Sequence, residues 1–352
     1  MNLLLESARN AFRERRRLVA PLLGFPGLTL AQCTVKVAQQ NFGEHFRVLN
    51  AIAEAFSPDA IFPLMDLSVE ANALGRFTLF PREESATVVK EDFSETDFSA
   101  AQKIDIANDS RVFGYVETLR MMKQKLSHGI LKGAYVTGPY TLAALLIGAD
   151  EAATATLMRP DELYEICKLT TEKILVYVRL LIEAGADMIC VLEPSAVMLG
   201  PKEFGQFSAR YVSKISAACT ESGVASVYHI CGNSMHLVEQ MANSGVDALS
   251  LDSPQAGIDL PAVAKRIPAD VVLIGNASPI GAMLTGKPSE VEAEVQQLLG
   301  SMDPFPNFIL STGCDLPQET PADNIHAFMK AGRSYVVGGR VGVQRSLPVL
   351  PF

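Results

Sequence analysis

The chain has 352 residues, of which 48% are hydrophobic and 20% charged, a composition that excludes a disordered protein. Its 30 basic and 39 acidic residues give a formal net charge of −9, which argues against nucleic acid as a partner. The six cysteines are dispersed, as in a protein with reduced thiols. Without a long apolar run or a signal-like N-terminus, we expect a cytoplasmic protein with no membrane partner.

Short apolar runs alternate with helical stretches and predict eight β-strands. Continuous apolar runs are typical of parallel strands that helices cover on both faces. Eight such strands predict an α/β fold, a closed (β/α)8 TIM barrel, as a single domain over 1–352 with its core at about 18–332. The predicted strands are 18–24, 60–66, 132–137, 188–193, 224–229, 247–251, 271–275 and 308–312.

Three segments lie outside this alternation. Residues 1–17 are amphipathic and charged, and they predict an N-terminal helical extension. Residues 68–129 are too long for one connection and predict an insertion after the second strand. Residues 336–352 form a C-terminal tail, to which the sequence assigns no function.

The first candidate site lies at the end of the fifth predicted strand, where His229 and Cys231 are two residues apart. Side chains alternate along an extended chain, so these two point to the same side. Imidazole and thiolate are ligands that zinc favours. Cys314 follows the eighth strand across the narrow mouth of the barrel and can supply a third ligand. The motif alone also fits buried cysteines without a metal, and that interpretation stays open here.

Carboxylates follow three other predicted strands. Glu193 ends the fourth strand and can act as a base, as a fourth metal ligand, as the hydrogen-bond acceptor that holds His229, or as a helix cap. Asp252 ends the sixth strand and has the same alternatives. Asp66 ends the second strand, where it can bind substrate nitrogens or cap the following segment.

Two further loops carry candidate binding groups. The sequence Gly-Pro-Tyr-Thr at 138–141, which includes Tyr140, opens a helix whose first N–H groups can hold an anion. The loop at 275–279, which includes Asn276, is similar. Neither matches a phosphate-binding loop or a dinucleotide fingerprint, so a nucleotide cofactor is not expected.

Several motifs of the chain occur in an order shared with one superfamily. They are Gly-Pro-Tyr-Thr-Leu at 138–142, Gly-Ala-Asp at 185–187, His-Ile-Cys-Gly-Asn at 229–233, Gly-Asn at 275–276, Gly-Cys at 313–314 and Thr-Pro-Ala-Asp-Asn at 320–324. This order resembles the uroporphyrinogen decarboxylase superfamily, whose fold is the (β/α)8 barrel. The chain looks like its branch of zinc-dependent methylcobamide:coenzyme M methyltransferases.

The choice of branch depends on a few positions. The decarboxylases carry substrate-clamping arginines in a loop that corresponds to residues 21–29, which contain none. They carry histidine in place of Cys314, tyrosine in place of Leu145, and no His-x-Cys pair. Asp66 matches an aspartate of the decarboxylases and does not decide between the branches. In the methyltransferase branch, the zinc ligands map onto His229, Cys231 and Cys314.

The resemblance implies an enzyme that moves a methyl group from a methylcobamide to an acceptor activated by Zn²⁺. The corrinoid is carried on a small corrinoid-binding protein, and the small-molecule acceptor is a thiol such as coenzyme M. Glu193 and Asp252 are predicted to be catalytic, and Asp66, Tyr140 and Asn276 to bind the corrinoid or the acceptor. The alternatives are methyl transfer to tetrahydrofolate or homocysteine, decarboxylation of a tetrapyrrole such as uroporphyrinogen, and corrinoid binding without catalysis.

Overall fold

The centre of the molecule is a parallel sheet that curls into a barrel. A computed structural model describes residues 2–339, so most of the predicted tail 336–352 lies outside the described residues. The predicted strands after the second match the observed ones to within two residues at each end. The strands are β1 Ala60–Ile61, β2 Thr78–Leu79, β3 Thr87–Val88, β4 Leu131–Thr137, β5 Met188–Leu192, β6 Ala225–Ile230, β7 Ala248–Leu251, β8 Val272–Ala277 and β9 Phe308–Thr312.

Seven strands form the barrel in the order β1-β4-β5-β6-β7-β8-β9, and neighbouring strands are parallel. The segment around Val19 closes the ring, since it bridges Leu310 of β9 while its carbonyl accepts from the N–H of Asp59 beside β1. The fold is therefore the predicted (β/α)8 barrel, with an irregular first strand.

The first two predicted strands are shorter than expected, which corrects the ranges 18–24 and 60–66. Pro21 and Pro63 have no N–H for a ladder, and the next N–H groups bond to side chains instead. Leu22 donates to Thr312 Oγ1, and Leu64 donates to Nε2 of the buried His45. Each segment leaves the sheet at its proline.

Helices surround the strands and cover the outside of the barrel. The two longest helices, Pro160–Ala184 and Ser110–Lys125, directly precede β5 and β4 and return the chain to the amino ends of these strands. The α-helices are α1 Leu3–Arg13, α2 Pro26–Ala31, α3 Val35–Gln40, α4 Phe42–Phe56, α5 Val69–Ala73, α6 Glu95–Lys103, α7 Ser110–Lys125, α8 Pro139–Ile147, α9 Ala149–Met158, α10 Pro160–Ala184, α11 Pro201–Phe204, α12 Arg210–Glu221, α13 Val238–Asn243, α14 Leu260–Ala264, α15 Ala282–Thr285, α16 Pro288–Ser301 and α17 Ala322–Ser334.

The predicted N-terminal extension is α1, and it closes the amino end of the barrel. Its apolar face buries Leu4, Leu5, Ala8 and Ala11 against the interior side chains of the strands. Asn2 caps this helix and also donates to the carbonyl of residue 247, just before β7. The interior is thus covered at this end by the N-terminus of the chain itself.

The predicted insertion after the second strand contains the β2–β3 hairpin, α6 and α7. No single helix among residues 2–339 is long and apolar enough to cross a membrane. Only α8 and α9 taken together meet that criterion, and they meet at an angle of 108°. The assignment of the chain to one domain stays a prediction.

Candidate functional site

Three side chains that the sequence singled out as metal ligands meet at the carboxyl end of the barrel. His229 Nε2 lies 3.1 Å from Cys231 Sγ and 3.9 Å from Cys314 Sγ, and the two sulfur atoms are 3.4 Å apart. One ligand atom from each residue fits within 4.8 Å of the others. His229 is buried, whereas Cys231 and Cys314 are partly exposed. This set, the metal cluster below, has the nitrogen and sulfur donors that zinc prefers.

The loops after β6 and β9 bring the two thiols together. His229 is in β6, and Cys231 follows it immediately. Cys314 follows β9 after Gly313. The backbone of Gly313 packs closely on Ser253, and a Cβ on residue 313 would lie 2.5 Å from the backbone nitrogen of Ser253. The hydrogen bond to Cys231 and burial raise the pKa of the Cys314 thiol, and His229 partly offsets this.

The imidazole of His229 is oriented by Ser250 of β7. The register of β6 and β7 places these residues side by side, and His229 Nδ1 lies 3.0 Å from Ser250 Oγ. This contact leaves Nε2 directed at the thiols, as a metal-ligating histidine requires. The alternative in which Glu193 accepts this hydrogen bond is wrong, because the hydroxyl of Ser250 occupies that position. Sequence reasoning missed Ser250, a small residue inside an apolar run.

Asp252 and Asn276 lie beneath the loop that carries Cys231. Asp252 Oδ2 accepts from the N–H of Gly232 at 2.7 Å, and Oδ1 accepts from the N–H of Ser253 at 2.6 Å. Asn276 Nδ2 donates to the carbonyl of Asp252 at 2.9 Å. Both side chains therefore fix backbone next to the metal cluster, and their predicted roles in catalysis and binding stay predictions.

Glu193 and Tyr140 meet at the start of α8. The carboxylate of Glu193 accepts from the N–H groups of Tyr140 and Thr141 at 3.0 and 2.7 Å, and from the hydroxyl of Ser208 at 2.8 Å. Burial raises the pKa of Glu193, and these hydrogen bonds partly offset the effect. Both oxygens are occupied, so Glu193 caps α8. A catalytic role for Glu193 and a binding role for Tyr140 stay predictions.

Asp66 lies in a separate buried group on the side of β1. Its Oδ1 accepts from the N–H and the hydroxyl of Ser68 at 2.9 and 2.6 Å. Its Oδ2 accepts from Tyr115 at 2.9 Å and forms an ion pair with Arg111. The carboxylate has four donors from the chain itself, so a ligand-binding role requires at least one of them to be displaced.

Two polar side chains near the metal cluster were not predicted. Tyr135 of β4 points into the barrel, and burial together with the charge of Asp315 raises the pKa of its hydroxyl well above the ordinary value. Burial raises the pKa of Asp315 to about 7. Backbone N–H groups of Gly24, Met65 and Leu316 point toward the Asp315 carboxylate and partly offset this, although neither oxygen makes a hydrogen bond of normal geometry. The position of Asp315 directly after Cys314 could have indicated it.

The fold and the site define a barrel protein with a nitrogen-and-sulfur donor cluster at the carboxyl ends of its strands. Residues 39–335 match the model of the uroporphyrinogen decarboxylase (URO-D) family. The chain belongs to the uroporphyrinogen decarboxylase family, which confirms the predicted superfamily.

Relatives of two kinds are similar to the chain. Methylcobamide:CoM methyltransferase MtaA of Methanosarcina barkeri is 26% identical over 274 residues, which cover 76% of this chain and 78% of the relative. A uroporphyrinogen decarboxylase of Methylobacillus flagellatus is 27% identical over 289 residues, 79% of each chain. The solved structure of a methyltransferase from Methanosarcina mazei superposes with a TM-score of 0.84 at 21% identity, covering 94% of this chain and 96% of the other. The chain is an enzyme of this family, and its fold is that of the solved relative.

Proposed function

We propose that the protein transfers a methyl group from a methylcobamide to a thiol acceptor at the metal cluster. One observation carries the proposal: His229, Cys231 and Cys314 place one nitrogen and two sulfur atoms within 4.8 Å at the open end of the barrel. The similarity to a methylcobamide:CoM methyltransferase supports it. Coenzyme M is the acceptor in that relative's name, and tetrahydrofolate and homocysteine are the other acceptors to test.

The donor set fits zinc. Two thiolates and one neutral imidazole are the ligands of catalytic sites that keep a fourth position for substrate. Zinc held there would stabilise the acceptor sulfur as a thiolate at neutral pH. Ser250 would hold the imidazole with Nε2 available, and Asp252 would hold the backbone of Gly232 next to Cys231. The partial exposure of both cysteines leaves the cluster open to an acceptor.

The reaction requires the acceptor sulfur to approach the methyl carbon in line with the carbon–cobalt bond. The acceptor thiol would first lose its proton to solvent. Its sulfur–carbon bond would then form as the bond between the methyl carbon and the donor breaks, and the electron pair of the broken bond would stay with the donor. The barrel contributes proximity and a site from which water is largely excluded. We propose that the corrinoid arrives on a small corrinoid-binding protein, since its ring is too large for the packed barrel interior.

Decarboxylation of a tetrapyrrole is the second function suggested by the relatives. The ion pair and hydrogen bonds of Asp66 weigh against it, because a carboxylate that grips pyrrole nitrogens needs free acceptor positions. The decarboxylases carry a histidine at the position of Cys314, and the cysteine found here also favours methyl transfer to a thiol over decarboxylation. We therefore rank methyl transfer first and treat decarboxylation and corrinoid binding without catalysis as outcomes of the test.

The experiment compares the wild type with a Cys314→Ser variant, with Cys33→Ala as a control because Cys33 is a buried cysteine outside the metal cluster. Zinc per chain is measured first, followed by loss of the methyl group from methylcobalamin with a panel of thiols and tetrahydrofolate. We expect about one zinc per chain, lost or weakened only in Cys314→Ser, with demethylation lost in parallel. A folded wild type that takes up no zinc, or that decarboxylates uroporphyrinogen instead, would contradict the proposal.

A further inference from the structure

Two polar side chains beside the metal cluster have buried oxygen atoms that make no hydrogen bond of normal geometry within residues 2–339. They are Tyr135, through its hydroxyl, and Asp315, through both carboxylate oxygens. A buried polar atom without a well-aligned hydrogen bond is costly, so such an atom usually has a further partner. Asp66, with four donors from the chain, shows how this protein can satisfy a buried carboxylate.

Both groups lie on the same side of the barrel mouth. Asp315 directly follows Cys314, and its Oδ2 lies only 3.3 Å from the place of a Cβ on Gly24. Tyr135 stacks on Phe62 with ring centroids 4.8 Å apart, and both line the cavity that also contacts His229. The phenol therefore borders a cavity that reaches His229, and the carboxylate lies beside Cys314 at the edge of the metal cluster.

The charges around this space disfavour an anionic ligand. Each buried basic side chain of the described chain already donates to a backbone carbonyl or to a carboxylate. These side chains are Arg17, Arg76, Arg111 and Lys132. An ionised Asp315 next to a sulfonate would bring two anions together without a counter-ion.

We propose that Asp315 and Tyr135 bind the polar end of the acceptor, and that this end carries N–H donors, as in a thiol with a primary ammonium group. The assignment deepens the proposed methyl transfer and rests on it. An ammonium group has three donors and a positive charge, which match the carboxylate of Asp315 and the hydroxyl oxygen of Tyr135. A sulfonate offers only acceptors and a negative charge. A tetrahydropterin also presents N–H donors and is the second source of this chemistry.

Cysteamine and coenzyme M test the assignment directly, since both are two-carbon thiols and differ in the charge of the tail. Binding of each to the zinc-loaded protein is measured by calorimetry, with homocysteine and tetrahydrofolate as further ligands. We expect cysteamine to bind more tightly than coenzyme M. In Asp315→Asn, cysteamine binding weakens about ten- to a hundredfold, and coenzyme M binding is unchanged or tighter. Tyr135→Phe weakens cysteamine binding a few-fold.

Asp161→Asn is the matched control, because Asp161 is exposed at the start of α10. We expect this variant to bind cysteamine and coenzyme M as the wild type does. Zinc content and thermal unfolding verify that each variant is folded and loaded, and Tyr135→Phe provides a second test if Asp315→Asn does not fold. Tighter binding of coenzyme M than of cysteamine would overturn this assignment but not the proposed function. A preference for cysteamine that is unchanged in Asp315→Asn would have the same meaning. Binding of no thiol would overturn the proposed function as well. Tight binding of tetrahydrofolate, lost in Asp315→Asn, would support N–H recognition and identify a pterin as its source.

Discussion

The two sides of the barrel mouth hold polar side chains in opposite states. On the side of β1, Asp66 is saturated by Ser68, Tyr115 and Arg111. On the side of β6 and β9, the polar contacts of the Cys231 and Cys314 thiols within residues 2–339 are with each other and with His229, and both cysteines are partly exposed. Both sets follow barrel strands, where enzymes of this fold place their chemistry. A polar residue at a strand end is therefore available for chemistry only if the chain leaves its donors or acceptors free.

Removing Asp66 tests the structural side and has the largest expected effect. Asp66→Ala leaves the guanidinium of Arg111, which is only 8% exposed, without its counter-ion. We expect a loss of about 3–5 kcal/mol in the free energy of unfolding, because an uncompensated buried charge is costly. Denaturant titration measures this loss, and zinc per folded chain should not change. A loss below about 1 kcal/mol would mean that the pair behaves as an exposed one.

Acid provides the next test of the same side, through His45. Burial lowers the pKa of His45 from 6.5 to about 4, and the charge of Asp66 partly offsets the shift. In the unfolded chain, His45 takes up a proton near pH 6.5, whereas in the folded chain it does so only near pH 4. The contribution of His45 to the free energy of unfolding is therefore complete above pH 6.5 and is lost as the pH falls toward 4. The expected loss between these values is about 3 kcal/mol.

The His45→Gln variant isolates this contribution, because glutamine does not titrate and its oxygen can accept from the N–H of Leu64. Denaturant titrations at several pH values should give a flatter curve for the variant than for the wild type. Equal slopes would show that His45 does not carry the acid sensitivity.

Glu193 distinguishes a cap from a catalytic group. The two carboxylate oxygens of Glu193 accept from the N–H groups of Tyr140 and Thr141. In Glu193→Gln only one oxygen remains to accept. We expect a loss of about 1–3 kcal/mol in stability with little change in the turnover of folded enzyme. The exposed Glu221→Gln is the control. Lost turnover at unchanged stability would instead support the catalytic role predicted from the sequence.

Ser250 tests the reactive side with the smallest expected effect. Ser250→Ala removes the hydroxyl that orients His229, and we expect zinc affinity to fall about tenfold. Competition with a chelator measures the affinity, and Ser301→Ala on α16 serves as a control. The free energy of unfolding of the metal-free protein should change by no more than about 1 kcal/mol. An unchanged zinc affinity would show that strand packing alone holds the imidazole.

Much of the fold and the centre of the site could be predicted because their signals are local. Continuous apolar runs located the later strands, and the two-residue spacing of His229 and Cys231 placed both on one side. The first two strands were predicted to be longer than they are, because the sequence does not show which atom accepts the hydrogen bond from the N–H that follows Pro21 or Pro63. The accepting residues, Thr312 and His45, are distant in the chain or on another element.

The partners of the polar residues could not be predicted for the same reason. Asp66 is neutralised by Arg111, which lies 45 residues later in the insertion. Glu193 caps α8 more than 50 residues before it, and the pairing of His229 with Ser250 depends on strand register. Residue type indicates what a side chain can do, but only packing determines which of its hydrogen bonds are already made.

The helix that covers the amino end of the barrel has a consequence for the order of events. Within residues 2–339, Leu4 and Leu5 of α1 close that end, so the way to the metal cluster is through the carboxyl end of the barrel. In the proposed reaction, a small acceptor would have to be seated before a bulky methyl donor covers this opening, and the methylated product would leave only after the donor withdraws. For the proposed reaction we expect compulsory-order kinetics in which the acceptor binds first, and in which excess donor traps enzyme that holds no acceptor.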